Sequence, residues 1–277
     1  MIFNHYPVPA PFNEYIEAVF HFKDFIPDHS IERVVPTGHS FLIFELDDMP
    51  RNTFHNDTLK PKETYTRVWI SGMHENHISI SAHHRSEMFV VQFKAYGGMP
   101  FLHIPMSELN NRVVPAEDIL GEGIFDFRNE LLLGSDSQDK FKSAGRWLES
   151  RFDQKKVPAT EMTAVAKDLI QKPGIPFKEV LERYPKTQKH LIEQFKRYCG
   201  LTPKILHRIF RFNDILAKVQ KEEKISWSQI AYDCGYSDQS HFIKEFKAFS
   251  GFNPRQFIRQ EFHKEEESNF FPLDREG

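Results

Sequence analysis

Residues 186–206, KTQKHLIEQFKRYCGLTPKIL, and residues 237–257, SDQSHFIKEFKAFSGFNPRQF, are two copies of one pattern. At an offset of 51, seven of 21 positions are identical: Gln188/Gln239, His190/His241, Ile192/Ile243, Phe195/Phe246, Lys196/Lys247, Gly200/Gly251 and Pro203/Pro254. Upstream, Ile175 and Val180-Leu181 match Ile225 and Ile230-Ala231 at an offset of 50, so the first copy is one residue shorter at the turn before its long helix. A repeat of this size marks a recurring supersecondary unit.

Each copy reads as helix–turn–helix. In the second, Ser226 is placed to cap a short helix over 227–234, and Gly235 supplies the left-handed residue that ends it. Ser237 is the expected N-cap of the next helix, about 238–250, with Gly251 at its C′ position and Asn253-Pro254 restarting the chain as N-cap and first-turn proline. In the first copy Thr187 or Lys186 opens the helix, Gly200 closes it and Thr202-Pro203 restarts it. Phe242, Phe246 and Phe249, at spacings of four and three, form an inward stripe, matched by Leu191, Phe195 and Tyr198. Gln239, Ser240, Ile243, Lys244 and Lys247 fall on other faces, as do Gln188, Lys189, Ile192, Glu193 and Lys196. Such a face, bearing Lys, Gln and Ser, reaches phosphates and base edges in a major groove.

Between the copies a helix is expected over about 203–221. Its 19 residues span roughly 28 Å, against about 34 Å for one DNA turn. It is long enough to hold two recognition helices in successive major grooves. Residues 186–211 hold Lys186, Lys189, Lys196, Arg197, Lys204, Arg208 and Arg211 against Glu193 alone.

The charge of the whole chain, 277 residues with a net −3, hides an uneven distribution. Residues 1–156 have 16 Lys and Arg to 22 Asp and Glu, residues 157–260 have 18 to 11, and residues 261–277 have 2 to 6. The middle block is the part suited to a polyanion. The expected units are therefore 1–156, 157–262 with helix–turn–helix units at about 175–200 and 226–251, and an acidic tail at 263–277. Lys155-Lys156-Val157-Pro158 is the linker candidate. The first eleven residues lack a secretory signal's basic and apolar regions, and no stretch is long and apolar enough to span a membrane, so the expected compartment is the cytoplasm. Two cysteines, Cys199 and Cys234, support neither a disulfide framework nor a four-thiolate metal site and are read as small core residues.

The N-terminal half reads as strands over 15–22, 40–46, 64–71, 78–82 and 87–94, in an antiparallel sheet or small barrel. The polar segment 50–61 is read as a long loop, and 98–133 as short helical turns broken by Pro100, Pro105 and Pro115. Residues 137–153 read as a helix whose stripe, Phe141, Ala144, Leu148 and Phe152, packs on the sheet or forms a dimer seam. Trp147 lies at its edge. Phe41, Phe44, Trp69, Phe89 and Phe93 are read as core, with some available to line a small-molecule pocket. His74, His77, His83, His84 and Glu87 cluster in sequence. Adjacent strand residues such as His83 and His84 point to opposite faces, so the cluster is read as a polar surface, with metal binding as the alternative.

The run Gly235-Tyr236-Ser237-Asp238-Gln239-Ser240-His241-Phe242, then Phe246-Lys247 and Gly251-Phe252-Asn253-Pro254, resembles the second helix–turn–helix of the AraC/XylS family of bacterial transcription regulators. The resemblance covers about 160–260. Glu32-Arg33-Val34-Val35-Pro36-Thr37-Gly38-His39 and Asn111-Arg112-Val113-Val114-Pro115 resemble motifs of one branch of that family. The resemblance implies an α+β chain: a β-rich N-terminal domain, barrel or cupin-like, with flanking helices, then an all-α domain of two helix–turn–helix units. It implies base-reading positions at Ser240, His241 and Lys244, and at Lys189, Ile192 and Glu193. Lys196 and Lys247 are then phosphate contacts, and Gln188 and Gln239 lie beside them. The first unit departs from the family with Pro185 at the turn glycine and Glu193 where a base is common.

The function so implied is sequence-specific, activating transcription control, without catalysis or cofactor. Its partners are double-stranded DNA, a small-molecule effector, RNA polymerase and a second copy of the chain. The alternatives are a metal-binding cupin-like enzyme fused to a DNA-binding domain, and an effector-independent DNA-binding protein.

Overall fold

The computed structural model describes residues 2–47, 49–219, 226–233, 235–236, 238–262 and 269–274. The strands are β1 (Ile2–Tyr6), β2 (Ile16–Phe25), β3 (Ile31–Val34), β4 (Ser40–Glu45), β5 (Arg51–Phe54), β6 (Pro61–Tyr65), β7 (Val68–Ser71), β8 (Ile78–Ser81), β9 (Ser86–Phe93), β10 (Val113–Pro115) and β11 (Phe270–Pro272). The helices of the β-rich half are α1 (Met99–Leu102), α2 (Glu117–Leu120), α3 (Ile124–Leu133) and α4 (Ser137–Arg151). The rest are α5 (Thr160–Gln171), α6 (Phe177–Glu182), α7 (Gln188–Cys199), α8 (Pro203–Val219), α9 (Trp227–Asp233), α10 (Gln239–Ser250) and α11 (Pro254–Arg259).

The strands form two sheets, ordered β1-β2-β9-β4-β7-β10 and β11-β3-β8-β5-β6, with antiparallel pairing. Alternation on β4 separates two environments. Leu42 and Phe44 enter the main core, while Phe41 and Ile43 join Trp69, Val90 and Tyr65 in a second cluster. Phe44, Phe89 and Phe93 are buried as expected, and Phe41 is half-buried. The α4 stripe packs inward: Phe141 lies 5.8 Å from Phe89 and stacks on Tyr6 at 5.4 Å. That contact takes the place of a dimer seam, and Trp147 stacks on Phe127 at 4.9 Å.

The segment read as a long loop contains β5 and the start of β6. Its inward positions are Arg51 and Thr53, so no apolar alternation announces it. Arg51 is buried because it meets Glu45 Oε2 at 2.8 Å and Asp47 Oδ2 at 2.7 Å. The expected strand 64–71 is two strands, broken at Arg67 with φ +61°, where the chain passes from one sheet to the other. His83 and His84 lie in the connection between β8 and β9 and not on a strand.

The apolar core runs without interruption from the β-rich half into the helical half. Lys155 and Lys156 belong to a 3₁₀ turn, Gln154–Lys156, and Asp153 donates its backbone N–H to Pro100 O at 2.9 Å. Residues 269–274, expected in an acidic tail, return to the second sheet. β11 pairs with β3, and Phe271 is buried 5.2 Å from both Phe257 and Phe262. Asp274 accepts from the backbone N–H of Ile31 at 2.8 Å and of Ser30 at 3.1 Å, and from the Ser30 hydroxyl.

Candidate nucleic-acid interface

In the first unit, the Thr187 hydroxyl accepts the His190 N–H at 3.2 Å and caps α7. Lys186 is thereby excluded as the cap. Tyr184 and His190 join the two helices of the unit through a 2.6 Å hydrogen bond and stacked rings. Leu191, Phe195, Tyr198 and Cys199 are buried, and Gly200 ends the helix at φ +82°. Burial pushes the Cys199 thiol well above its usual range, as expected of an inert core residue. Cys234 lies outside the described residues.

In the second unit, Gly235, at φ +77°, follows α9, and Tyr236 returns its N–H to Ala231 O at 2.9 Å. The N-cap of α10 is Asp238, whose carboxylate accepts the His241 N–H at 2.8 Å. The expected cap, Ser237, lies outside the described residues. The repeat offset carries Thr187 onto Asp238, so the signal was present in the sequence. Phe242, Phe246 and Phe249 are buried, and Trp227 covers Phe242 and Phe246 at 5.7 and 5.3 Å. Gly251 and the Asn253 cap fall where expected, and Gln256 Oε1 completes a capping box by accepting the Asn253 N–H at 3.1 Å.

The outward faces hold the nine candidate contact residues. Gln188, Lys189, Glu193 and Lys196 on α7, and Gln239, Ser240, His241, Lys244 and Lys247 on α10, are all exposed. Ile192 is half-buried. His241 has a second engagement, with Nε2 3.5 Å from Glu245 and its ring 5.6 Å from that of Tyr236.

Sequence reasoning missed Glu245. It is a buried carboxylate on α10, whose other side carries the candidate contact residues. It accepts from Tyr236 Oη at 2.7 Å, Arg208 Nε at 3.0 Å and Arg211 Nη2 at 3.3 Å. Burial alone would raise its pKa, but these three partners outweigh burial and hold it below the ordinary carboxylate range. Arg208 and Arg211, counted in sequence with the basic surface, are thus committed to fastening α10 onto α8. The 17 residues of α8 span about 25 Å.

The histidine cluster is dispersed. His74 Nε2 lies 3.2 Å from Ser71 Oγ, His77 Nδ1 3.3 Å from Ala248 O, and His83 Nε2 3.0 Å from Ser81 Oγ. His84 faces solvent, and Glu87 takes His21 and Lys23, each at 3.0 Å. Among the described residues no group of three or more His, Cys, Asp or Glu is arranged to hold a metal ion. No described helix is long and apolar enough to cross a membrane.

Two capped helix–turn–helix units flank one connecting helix behind a β-rich domain, the arrangement that the resemblance to AraC/XylS regulators implies. Residues 180–260 match the family described as a helix-turn-helix domain, and residues 4–115 match a domain of unknown function, DUF6597. The latter span includes both N-terminal motifs, 32–39 and 111–115. Among curated proteins, the chain is similar to the HTH-type transcriptional activator RhaS of Escherichia fergusonii, 25% identical over 135 residues. The match covers 48% of this chain and 41% of RhaS, so it spans less than half of that relative. Among solved structures, the chain is similar to apo ToxT K231A from Vibrio cholerae, with a TM-score of 0.43, 11% identity and coverage of 87% and 96% of the two chains. It is also similar to wild-type ToxT bound to an unsaturated fatty acid, with a TM-score of 0.41, 13% identity and coverage of 87% and 93%.

Proposed function

We propose that the protein is a sequence-specific transcriptional activator that reads two successive major grooves, one with α7 and one with α10. The observation that carries this reading is the division of both helices into a buried apolar stripe and an exposed polar face. Lys189, Glu193, Ser240, His241 and Lys244 contact bases, and Lys196 and Lys247 contact phosphates. Gln188 and Gln239 lie at the helix N-termini, where side chains enter a groove first. Glu193 is favoured opposite a cytosine amino group and repelled elsewhere. Activation is supported by the similarity to an activator. In the same reading the protein works in the cytoplasm, engages RNA polymerase and pairs with a second copy of itself.

The β-rich half supplies an effector site in this reading. A cleft of about 620 Å³ lined by Phe54, Tyr65, His74, Ser79, Asn111 and Arg112 supports it. An effector there controls DNA binding only by binding the competent and incompetent states unequally.

The test is selection from random duplex DNA by the full chain. Enrichment of two half-sites about one helical turn apart is the expected result. Enrichment of a single half-site, or of no sequence, contradicts it.

A further inference from the structure

Gly200 and Gly251 hold the same place in the two repeats, and each ends its recognition helix in the left-handed region. The β-rich half covers both. A Cβ on Gly200 would lie 2.8 Å from Met106 O, in the turn Met106–Glu108. A Cβ on Gly251 would lie 2.3 Å from Arg33 Nη1 and 3.0 Å from the His77 ring. Two unrelated segments of the first half therefore press on the equivalent point of each recognition helix. The connecting helix is touched as well. The Phe210 ring packs on Gly38, and Asn213 Nδ2 donates to Thr37 O at 3.3 Å.

The contact at Gly251 is directional. Ala248 O is one of the last four carbonyls of α10, which lack partners within the helix. His77 Nδ1 stands 3.3 Å from it. Burial, reinforced by Arg33, pulls the His77 pKa down to about 4, so the neutral ring donates from Nδ1. The Arg33 guanidinium lies 4.7 Å over the Phe252 ring and puts positive charge at the negative end of α10. Arg33 is itself held through Nη2 to Asn56 O at 3.4 Å, and Asn56 donates to His77 O at 2.9 Å.

We propose that Arg33 and His77, together with the Met106 turn, fix the placement of the two recognition helices relative to each other and so determine which half-site spacing the protein accepts. This rests on the DNA-reading function above. Fastened to one connecting helix alone, the two units still move relative to each other with every bend and twist of that helix. A second attachment of each recognition helix to a common body removes that freedom. Each added base pair shifts the second half-site by about 3.4 Å and rotates it by about 35°, which a braced pair of helices cannot follow.

The experiment uses the full chain and the duplexes that wild-type protein enriches, with the spacer between half-sites changed by one or two base pairs. Wild type is expected to lose about tenfold or more in affinity for a one-base-pair change, because simultaneous engagement fails. The Arg33→Ala/His77→Ala variant is expected to lose less than about threefold, while its affinity for an isolated half-site stays within about twofold of wild type. His77→Asn, whose Nδ2 stands where the ring Nδ1 stood and restores a donor toward Ala248 O, is expected to keep the wild-type preference, and His77→Leu to lose it. Folding of each variant is checked by thermal denaturation, and the single substitutions serve if the double variant does not fold. Retention of wild-type spacing discrimination by Arg33→Ala/His77→Ala or by His77→Leu overturns the proposal, as does equal binding of all spacings by wild type. Failure of wild type to enrich any sequence removes the DNA-reading function itself, an outcome distinct from enrichment with a spacing preference that the variants share.

Discussion

The Glu245 carboxylate on α10 accepts the Arg208 Nε–H of α8 at 3.0 Å, so a buried acid fastens α10 to the connecting helix. Tyr236 and Arg211 share the same carboxylate. Glu245→Ala takes the acceptor from three donors, Tyr236, Arg208 and Arg211, and is expected to destabilise the protein by about 3 kcal/mol in denaturant unfolding. Because the folded pKa lies below the ordinary carboxylate value, this stabilisation is complete above about pH 4.5 and is lost as pH falls through the folded value. A variant within about 0.5 kcal/mol of wild type at neutral pH would show that the network fastens nothing.

Lys244 and Lys247 stand three residues apart on the exposed side of α10, with different expected roles. Lys244→Ala should cost roughly 1–3 kcal/mol at a selected site and relax base preference there. Lys247→Ala should weaken binding evenly across sequences and lower the salt slope by about one. Equal losses on all duplexes for Lys244→Ala would remove it from the base-reading set.

Glu45 is fully buried, with Trp69 Nε1 donating to it at 2.8 Å and Arg51 beside it. Burial outweighs these partners and pushes its pKa up to about 7. Between the unfolded value near 4.5 and that figure, the folded chain keeps a proton that the unfolded chain has released. Stability from this group is therefore greatest in acid and declines as pH rises to about 7. The difference in melting temperature between wild type and Glu45→Gln, followed across that window, should shrink or reverse in the variant's favour with rising pH. A difference that grows in favour of wild type would contradict the assignment.

Phe271 and Asp274 tie the end of the described chain to both halves. Phe271→Ala should cost about 3 kcal/mol, as for other buried aromatic truncations. The Val35 N–H, which donates to Asn269 O at 3.1 Å, should then exchange faster with solvent. Asp274→Ala removes the acceptor for Ser30 and Ile31 and should cost about 1 kcal/mol. Unchanged Val35 protection in Phe271→Ala would mean that β11 is not held by its aromatic anchor.

What could be read in advance followed from how local each signal is. The caps at Thr187, Gly200, Gly251 and Asn253 act within four residues, so the sequence shows them directly. The stripes on α4, α7 and α10 were legible for the same reason. β3, β5 and β11 were not, because they are three or four residues long and their inward residues include Arg33, Arg51 and Thr53. Those side chains are stable inside only through partners off their own strands: Glu45 and Asp47 for Arg51, Asn56 O and Phe252 for Arg33, and Glu63 O for Thr53. Glu245 was opaque on similar grounds: its role depends on Arg208 and Arg211, which local charge counting assigned to the basic surface.

Ser30 and Asp274 meet across a separation of 244 residues. A ribosome must therefore make the chain through residue 272 before the second sheet can receive its outer strand. Until then β3 offers an open hydrogen-bonding edge, the feature by which nascent sheets recruit the wrong neighbour. A chain stalled or clipped before residue 269 would thus emerge with its second sheet lacking an outer strand.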